Sequence, residues 1–103
     1  MIGPKELGFW SNLKAVNIGT ERGILAKGKT YRVIKDFIDA DGTTHKPGET
    51  WVFLAYSFLS YDNGLQWFIT IDHRQEWAIP LWLDDLQQQQ VDRNLANYIE
   101  ICN

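Results

Sequence analysis

One stretch of the chain matches a phosphate-binding motif letter for letter. Residues 23–30 fit the pattern G-x-x-x-x-G-K-[ST], with Gly23, Gly28, Lys29 and Thr30 at the fixed positions. In such a loop the backbone amides and the lysine surround the phosphates, while the hydroxyl binds Mg²⁺. The motif requires a helix directly after it, but Tyr31–Ile34 is typical of a strand. Nucleotide or phosphate binding is therefore an alternative hypothesis, and a chance match over a turn is the preferred interpretation.

A second stretch, Asp39-Ala40-Asp41-Gly42, has the spacing of part of a calcium loop. In that loop the first ligand would fall two residues before Asp39, and a bidentate glutamate would occupy the twelfth position. Those positions hold Phe37 and Gly48. The sequence therefore predicts a hairpin turn at Asp41-Gly42 and no calcium site.

The residues that could support catalysis do not converge in the sequence. His45 and His73 lie in or beside predicted turns, and neighbours on a strand, such as Asp72 and His73, point to opposite faces. The hydroxyls and the lone thiol, Cys102, lack the glycine context of a nucleophile. One cysteine and two separated histidines also do not make a zinc site. We therefore predict no catalytic residue, no metal and no cofactor, and we read Asp84-Asp85 as a helix cap.

The aromatic content offers another kind of chemistry, because large rings anchor protein interfaces. The chain has five Trp, four Tyr and five Phe among 103 residues. Both faces of Thr50–Leu59 are apolar, so something must cover the second one. Either the C-terminal helix closes it, or it is a contact surface for a partner. The partner-binding candidates are Trp51, Phe53, Tyr61 and Phe68.

The charge balance narrows the class of partner. The formal net charge is −3, and the basic residues are spread along the chain. Such a balance does not favour binding to a phosphate backbone, so nucleic-acid binding through a small barrel surface is only a further alternative hypothesis. The leading hypothesis is a non-enzymatic protein-binding module, for instance a small acidic inhibitor or immunity-type protein. The residues of Met1–Trp10 are not typical of a signal peptide and the apolar runs are short, which favours a cytoplasmic protein without a membrane partner. A homodimer is left open.

Short strands separated by turns account for the middle of the chain. Tight turns are predicted at Asp41-Gly42, Pro47-Gly48 and Asp62-Asn63-Gly64. The predicted strands are Thr30–Ile38, Thr43–His45, Thr50–Leu59, Leu65–Ile71 and Trp77–Leu81. Pro80 places the last of these at a sheet edge or near its own end. Such strands predict a mainly β domain over residues 25–103, folded as a small SH3-like β-barrel plus a C-terminal helix; the alternative is an α+β fold with a curled antiparallel sheet packed by one helix.

The two ends of the chain are predicted from different signals. Residues 1–24 form an N-terminal extension, in which Pro4 could open a short helix with Phe9, Leu13 and Val16 on one face. From Asp84 an amphipathic helix is predicted, with apolar residues continuing through Val91 and Leu95. Residues 98–102 are either the end of that helix or a last strand.

The same residues carry a resemblance. It rests on Leu25-x-x-Gly28-x-x-Tyr31-x-Val33, on Phe37-x-Asp39-x-Asp41-Gly42-x-x-His45-x-x-Gly48-Glu49-x-Trp51, on Phe58-x-x-Tyr61-x-x-Gly64-Leu65, on Trp77-x-Ile79-x-Leu81 and on Asn94-x-x-x-Tyr98. From Leu25 to Tyr98 the chain resembles an uncharacterised bacterial family of small domains of unknown function. Turn glycines and core aromatics make up most of this pattern, so the resemblance implies a fold and no catalytic or binding residue.

Overall fold

The uncharged segment Thr50–Leu59 is a strand with the bounds that the sequence predicts, and it lies inside an antiparallel sheet with a neighbouring strand on each side. The computed structural model describes residues 1–13, 15 and 17–102. Its strands are β1 (Ile2–Glu6), β2 (Ile18–Gly19), β3 (Glu21–Arg22), β4 (Leu25–Ala26), β5 (Thr30–Val33), β6 (Phe37–Ile38), β7 (Thr44–His45), β8 (Thr50–Leu59), β9 (Gly64–Thr70), β10 (Gln75–Trp82) and β11 (Ile99–Ile101). Its helices are α1 (Leu86–Arg93) and α2 (Leu95–Tyr98).

The main sheet is open at both edges. Its strands follow the order β1-β10-β9-β8-β5-β11, and the short β2 also pairs with β8. A barrel closes only when its outer strands pair, and here β1 pairs with β10 while β11 pairs with β5 at the other edge. The SH3-like barrel is therefore not confirmed, and the alternative, a curled antiparallel sheet with a C-terminal helical segment, fits the structure.

The turn predictions are confirmed where glycine or asparagine allows a positive φ. Gly42 has φ +83° in the turn that joins β6 to β7, and Gly48 has φ +99° in the turn before β8. Asn63 has φ +53° between β8 and β9. These residue types tolerate the left-handed region, so each turn is determined locally.

An irregularity in β8 changes which side chains share a face. The pairing with β9 shifts between Phe53 and Ala55, so that Phe53 lies opposite Ile69 but Ala55 lies opposite Phe68. A bulge of this kind reverses the alternation of side chains beyond it. Phe53 shares a face with its partner Ile69, so Phe68, the neighbour of Ile69 on β9, lies on the opposite face, which the shift makes Ala55 share. The sequence-based hypothesis placed Phe53 and Phe68 on one contact surface.

The helices close the first face of the sheet. Val91 and Leu95 belong to the same buried cluster as Trp51 and Phe53, so the helical segment and these two rings share one core on this face of the sheet. Asp85 caps α1 by accepting hydrogen bonds from two backbone amides of the first turn. The helical run breaks at Asn94, and the chain then continues as α2 and β11, so the alternative of a last strand is the one observed.

The N-terminal segment closes much of the second face. Trp10 stacks on Phe68 with ring centroids 5.7 Å apart and planes inclined by 7°, and Ile18 packs against the same cluster. The predicted helix after Pro4 is wrong, because Pro4 lies within β1, which hydrogen-bonds to β10. Phe9 and Leu13 are about half exposed, and Val16 lies outside the described residues.

A buried carboxylate holds this segment against the sheet. Glu76 has no exposed surface. Its two oxygens accept hydrogen bonds from the backbone amides of Gly8, Trp10 and Ser11 and from the Ser11 hydroxyl. A buried polar group needs such partners to offset its desolvation, so Glu76 positions residues 8–11 over β10.

Candidate functional site

The structure buries three of the four predicted partner-binding rings. Trp51, Phe53 and Phe68 are between 0 and 2% exposed, whereas Tyr61 is 83% exposed in the turn after β8. Trp51 and Phe53 lie in one core with the helical residues Val91 and Leu95, and Trp10 of the N-terminal segment stacks on Phe68. An interface anchor has to be reachable by the partner, so of these four residues only Tyr61 can contact one in this fold.

The phosphate-loop residues lie on a β-hairpin and the turn that follows it. Gly23 falls between β3 and β4, and Thr30 begins β5 where a nucleotide-binding loop would enter a helix. The Gly28 amide donates to the carbonyl of Phe53, and the Lys29 amide to the carbonyl of Ala26. Amides that are already bonded to carbonyls do not cradle a phosphate, so the geometry favours the chance match.

An open groove lies where the cover over the second face stops. The last β1–β10 pair joins Ile2 to Ala78. Beyond it Pro80 pairs with Gln66 of β9, and on its other side the Pro80 carbonyl accepts a hydrogen bond from the Ala40 amide at 2.8 Å. The groove has a volume of about 460 Å³. Its walls include Ala40, Asp62, Gln66, Pro80, Trp82 and Asp84. The volume is in the range of binding clefts in proteins.

Trp82 is the prominent side chain of this groove, which we call the Trp82 groove. The residue is 53% exposed and lies opposite Gly64, which presents no side chain against it. The indole Nε1 donates to the carbonyl oxygen of Asp62 at 3.2 Å, and the backbone amide of Trp82 donates to Gln88 Oε1 at 2.6 Å. The ring is therefore held in a fixed position while one part of it faces solvent.

The charged groups of the Trp82 groove are acidic. Asp62 Oδ1 accepts from the Gly64 amide at 2.9 Å, and Asp84 Oδ1 accepts from Asn63 Nδ2 at 2.7 Å. Within the described part of the chain, the second oxygen of each carboxylate has no recorded partner, and no lysine or arginine lines the groove. The groove thus combines a fixed aromatic surface with two carboxylates that form no salt bridge with any residue that the structure describes.

Sequence reasoning did not single out Trp82, although a signal was present. Trp82 shares its parity with Glu76, Ala78 and Pro80, the set that alternates with the core residues of β10. Trp82 is the last residue of its strand and alternates with the core residues. Acidic residues stand just before β9 and just after β10, at Asp62 and Asp84. Together these signals indicate an exposed ring.

A second cluster of charged groups is buried inside the β6–β7 hairpin. His45 is fully buried, with Nε2 2.7 Å from Asp39 Oδ2 and Nδ1 2.7 Å from Glu49 Oε2. Trp51 Nε1 donates to the same Glu49 oxygen, and the amino nitrogen of Met1 lies 2.7 Å from Asp39 Oδ2. The carboxylates occupy opposite ring nitrogens, so they diverge around the imidazole and do not point at one shared ion.

The hydrogen bonds of this cluster decide its charge. Burial alone would lower the pKa of His45, but the bonds to Asp39 and Glu49 outweigh burial and raise that pKa to about 9. Burial opposes ionisation of Asp39 as well, yet His45 and the Met1 amine hold the pKa of Asp39 below its usual value. With both ring nitrogens engaged and no exposed surface, His45 stabilises the hairpin and has no access to a substrate.

The other residues that sequence analysis raised have structural roles or stand alone. His73 is exposed in the β9–β10 turn with φ +61°. Asp39 accepts hydrogen bonds from the amides of Asp41 and Thr43 within its hairpin, and Asp85 caps α1. Neither helix that the structure describes is long and apolar enough to cross a bilayer.

Comparison with known proteins gives a family and a fold. A family model described as a domain of unknown function (DUF3601) matches residues 11–103. An integron cassette protein from the mobile metagenome of Vibrio cholerae has a similar solved structure, with a TM-score of 0.77 and 26% sequence identity. That match covers 82% of this chain and 93% of the cassette protein. No curated protein matches the chain.

Proposed function

The chain belongs to the family described as a domain of unknown function (DUF3601), which confirms the resemblance, and we propose from its geometry that it is a non-enzymatic module that binds a cationic segment of another protein. The segment occupies the Trp82 groove. A small acidic inhibitor or immunity-type protein, which binds a basic protein and blocks it, is one concrete form of this function.

One observation carries the proposal: a half-exposed tryptophan, whose indole nitrogen is hydrogen-bonded to the Asp62 carbonyl, is flanked by two carboxylates. Trp is among the residue types that contribute most to interface affinity, and a fixed side chain loses little conformational entropy on binding. Because Asp62 and Asp84 place two carboxylates beside Trp82 and no lysine or arginine is among the described residues that line the groove, electrostatic complementarity favours a positively charged occupant. Tyr61, exposed in the same turn as Asp62, lies where it can extend the contact.

A display experiment with random peptides tests this function without assuming a partner. The immobilised protein should enrich peptides rich in basic residues. Replacing Trp82 with alanine should weaken their binding by at least about fivefold, as expected for an interface anchor worth more than about 1 kcal/mol. Raising the salt concentration should weaken binding as well, because the charges lie at the surface.

A matched control separates the groove from the general surface. Ile71 is 52% exposed, close to the 53% of Trp82, and it lies just beyond the opposite end of β9. Ile71→Ala should leave the enriched peptides bound. Enrichment of acidic or neutral peptides, or equal losses in the two variants, would remove the Trp82 groove as the binding site.

A further inference from the structure

We infer that the Trp82 groove binds a guanidinium group, so that the cationic segment binds through an arginine side chain in preference to lysine. This inference rests on the proposed function and names the chemical group that the same site recognises.

The fixed indole provides the first reason. Trp82 is tied at its ring nitrogen to the carbonyl of Asp62 and at its backbone to Gln88, and just over half of its surface is exposed. A guanidinium is planar and weakly hydrated, so it stacks on an aromatic face with little loss of solvation. An ammonium is compact and strongly hydrated, and it gains less from the same ring.

The arrangement of acceptors provides the second reason. Asp62 comes just before β9 and Asp84 just after β10, so both lie at the open end of the β9–β10 hairpin. Asn63 links the two chain segments by its hydrogen bond to Asp84. Each carboxylate keeps one oxygen without a recorded partner within the described residues, and the Gln66 side chain lines the same wall. A guanidinium has five donors in one plane, which can reach acceptors on more than one side while the ring stacks. Isolated exposed ion pairs contribute little, so a lone ammonium would gain only a small part of this energy.

The size of the groove limits what else binds with the arginine. A volume of about 460 Å³ exceeds that of one side chain, which leaves room for the neighbouring residues of a peptide. We therefore expect a short arginine-containing segment as the occupant, with neighbours that contact Pro80 and Tyr61.

Two peptides of equal length and charge test the inference. In one, arginine alternates with glycine; in the other, lysine takes every arginine position. Binding is followed by ¹⁵N NMR on the backbone amide signals of β9 and β10 in the full chain and in each variant. In the unchanged chain the indole N–H signal of Trp82, assigned by its loss in Trp82→Phe, reports on the ring itself. The arginine peptide should bind at least about fivefold more tightly, in line with a cation–π contribution of about 1 kcal/mol at an exposed site.

Three variants locate the preference. Trp82→Leu should abolish the difference between the two peptides, whereas Trp82→Phe, which keeps a flat ring, should retain part of it. Asp62→Asn combined with Asp84→Asn should weaken both peptides. Circular dichroism checks that each variant keeps the sheet, and Ile71→Ala serves again as the surface control.

The outcomes separate this inference from the proposed function. Equal affinity for both peptides, lost in Trp82→Leu, would overturn the arginine preference and leave a general cation-binding groove. An arginine preference that survives in Trp82→Leu would place recognition outside the indole and also overturn the inference. Failure of both peptides to bind at low salt would overturn the inference and the proposed function together.

Discussion

Raising the pH should destabilise the protein by removing the proton that His45 shares with two carboxylates. The folded-state pKa of His45 is about 9, against an ordinary value of 6.5. A group whose pKa is raised by folding stabilises the protein fully below its unfolded-state pKa, and the contribution is lost as the pH rises through the folded-state value. The loss therefore falls between about pH 6.5 and pH 9.

The size of the effect follows from the same values. One pKa unit corresponds to about 1.4 kcal/mol, so the difference for His45 amounts to about 3 kcal/mol of unfolding free energy. Asp39 acts in the opposite direction: its folded-state pKa is lowered, so its contribution is lost when the pH falls through that value. Because Asp39 and His45 share one hydrogen bond, the two contributions overlap and should not be added. Stability should be greatest in mildly acidic solution, above the acid range where Asp39 is protonated and below pH 6.5.

Two measurements check this prediction. Urea denaturation at pH 6 and pH 9.5 should give the difference in unfolding free energy. The amino nitrogen of Met1 also contacts Asp39, so NMR of the ¹⁵N-labelled imidazoles is needed to follow His45 itself. His73, exposed in its turn, provides an internal reference, and His73→Gln assigns the signals. If His45 is already neutral at pH 7.5, burial outweighs the hydrogen bonds and the reasoning is refuted.

The remaining predictions concern the two covers of the sheet. Glu76→Gln replaces one acceptor oxygen with a donor that faces backbone amides, so the free energy of unfolding in urea should fall by about 3 kcal/mol. Glu6→Gln, at an exposed position, should change the free energy of unfolding little. Equal effects of the two substitutions would contradict the anchoring role of Glu76. Trp10→Ala removes the ring stacked on Phe68 and should cost about 2–3 kcal/mol, while Leu13→Ala, at an exposed position, should stay within about 0.5 kcal/mol. Deleting residues 84–103 removes the cover of the first face, so size-exclusion chromatography should show aggregation; a monomeric, cooperatively folded product would contradict that assignment.

The middle of the fold could be predicted from the sequence because its signals are local. Thr50–Leu59 is an uncharged run of β-forming residues between turns, and its observed bounds agree with the prediction. Asp41-Gly42 forms its turn through a glycine with φ +83°. Asp85 caps α1 with its own carboxylate. In each case residues adjacent in sequence determine the local structure, so no knowledge of distant contacts is needed.

The N-terminal segment could not be predicted in this way. Pro4 and the spacing of Phe9 and Leu13 are compatible with a helix, but β1 forms by pairing with β10, about 70 residues further along the chain. Glu76 then holds residues 8–11 through bonds of similar sequence separation. Local spacing carries no information about such long-range partners, and the interaction with the sheet overrides it.

The candidate site was misplaced for a related reason. The sequence identifies a surplus of aromatic rings, but only the fold decides which of them the chain itself covers. Phe53 pairs with Ile69 and therefore lies on the face opposite to Phe68, and the two faces belong to different buried clusters. Tyr61 stays exposed because it lies in a turn, and Trp82 stays exposed because β1 stops before reaching it.

The chain leaves Trp82 half exposed although burying the ring would stabilise the fold. Leaving about half of a tryptophan in solvent forgoes roughly 3 kcal/mol of burial at about 25 cal/mol per Å². The same sheet face is covered a few residues away, where Trp10 buries Phe68. At Trp82 the chain instead bonds the indole nitrogen to the Asp62 carbonyl, leaves the ring half exposed and places Asp62 and Asp84 beside it. The carboxylates hinder two copies of the chain from associating through this groove, because like charges would meet there. A basic partner would meet no such repulsion, so the arrangement discriminates between self-association and binding of a cationic segment.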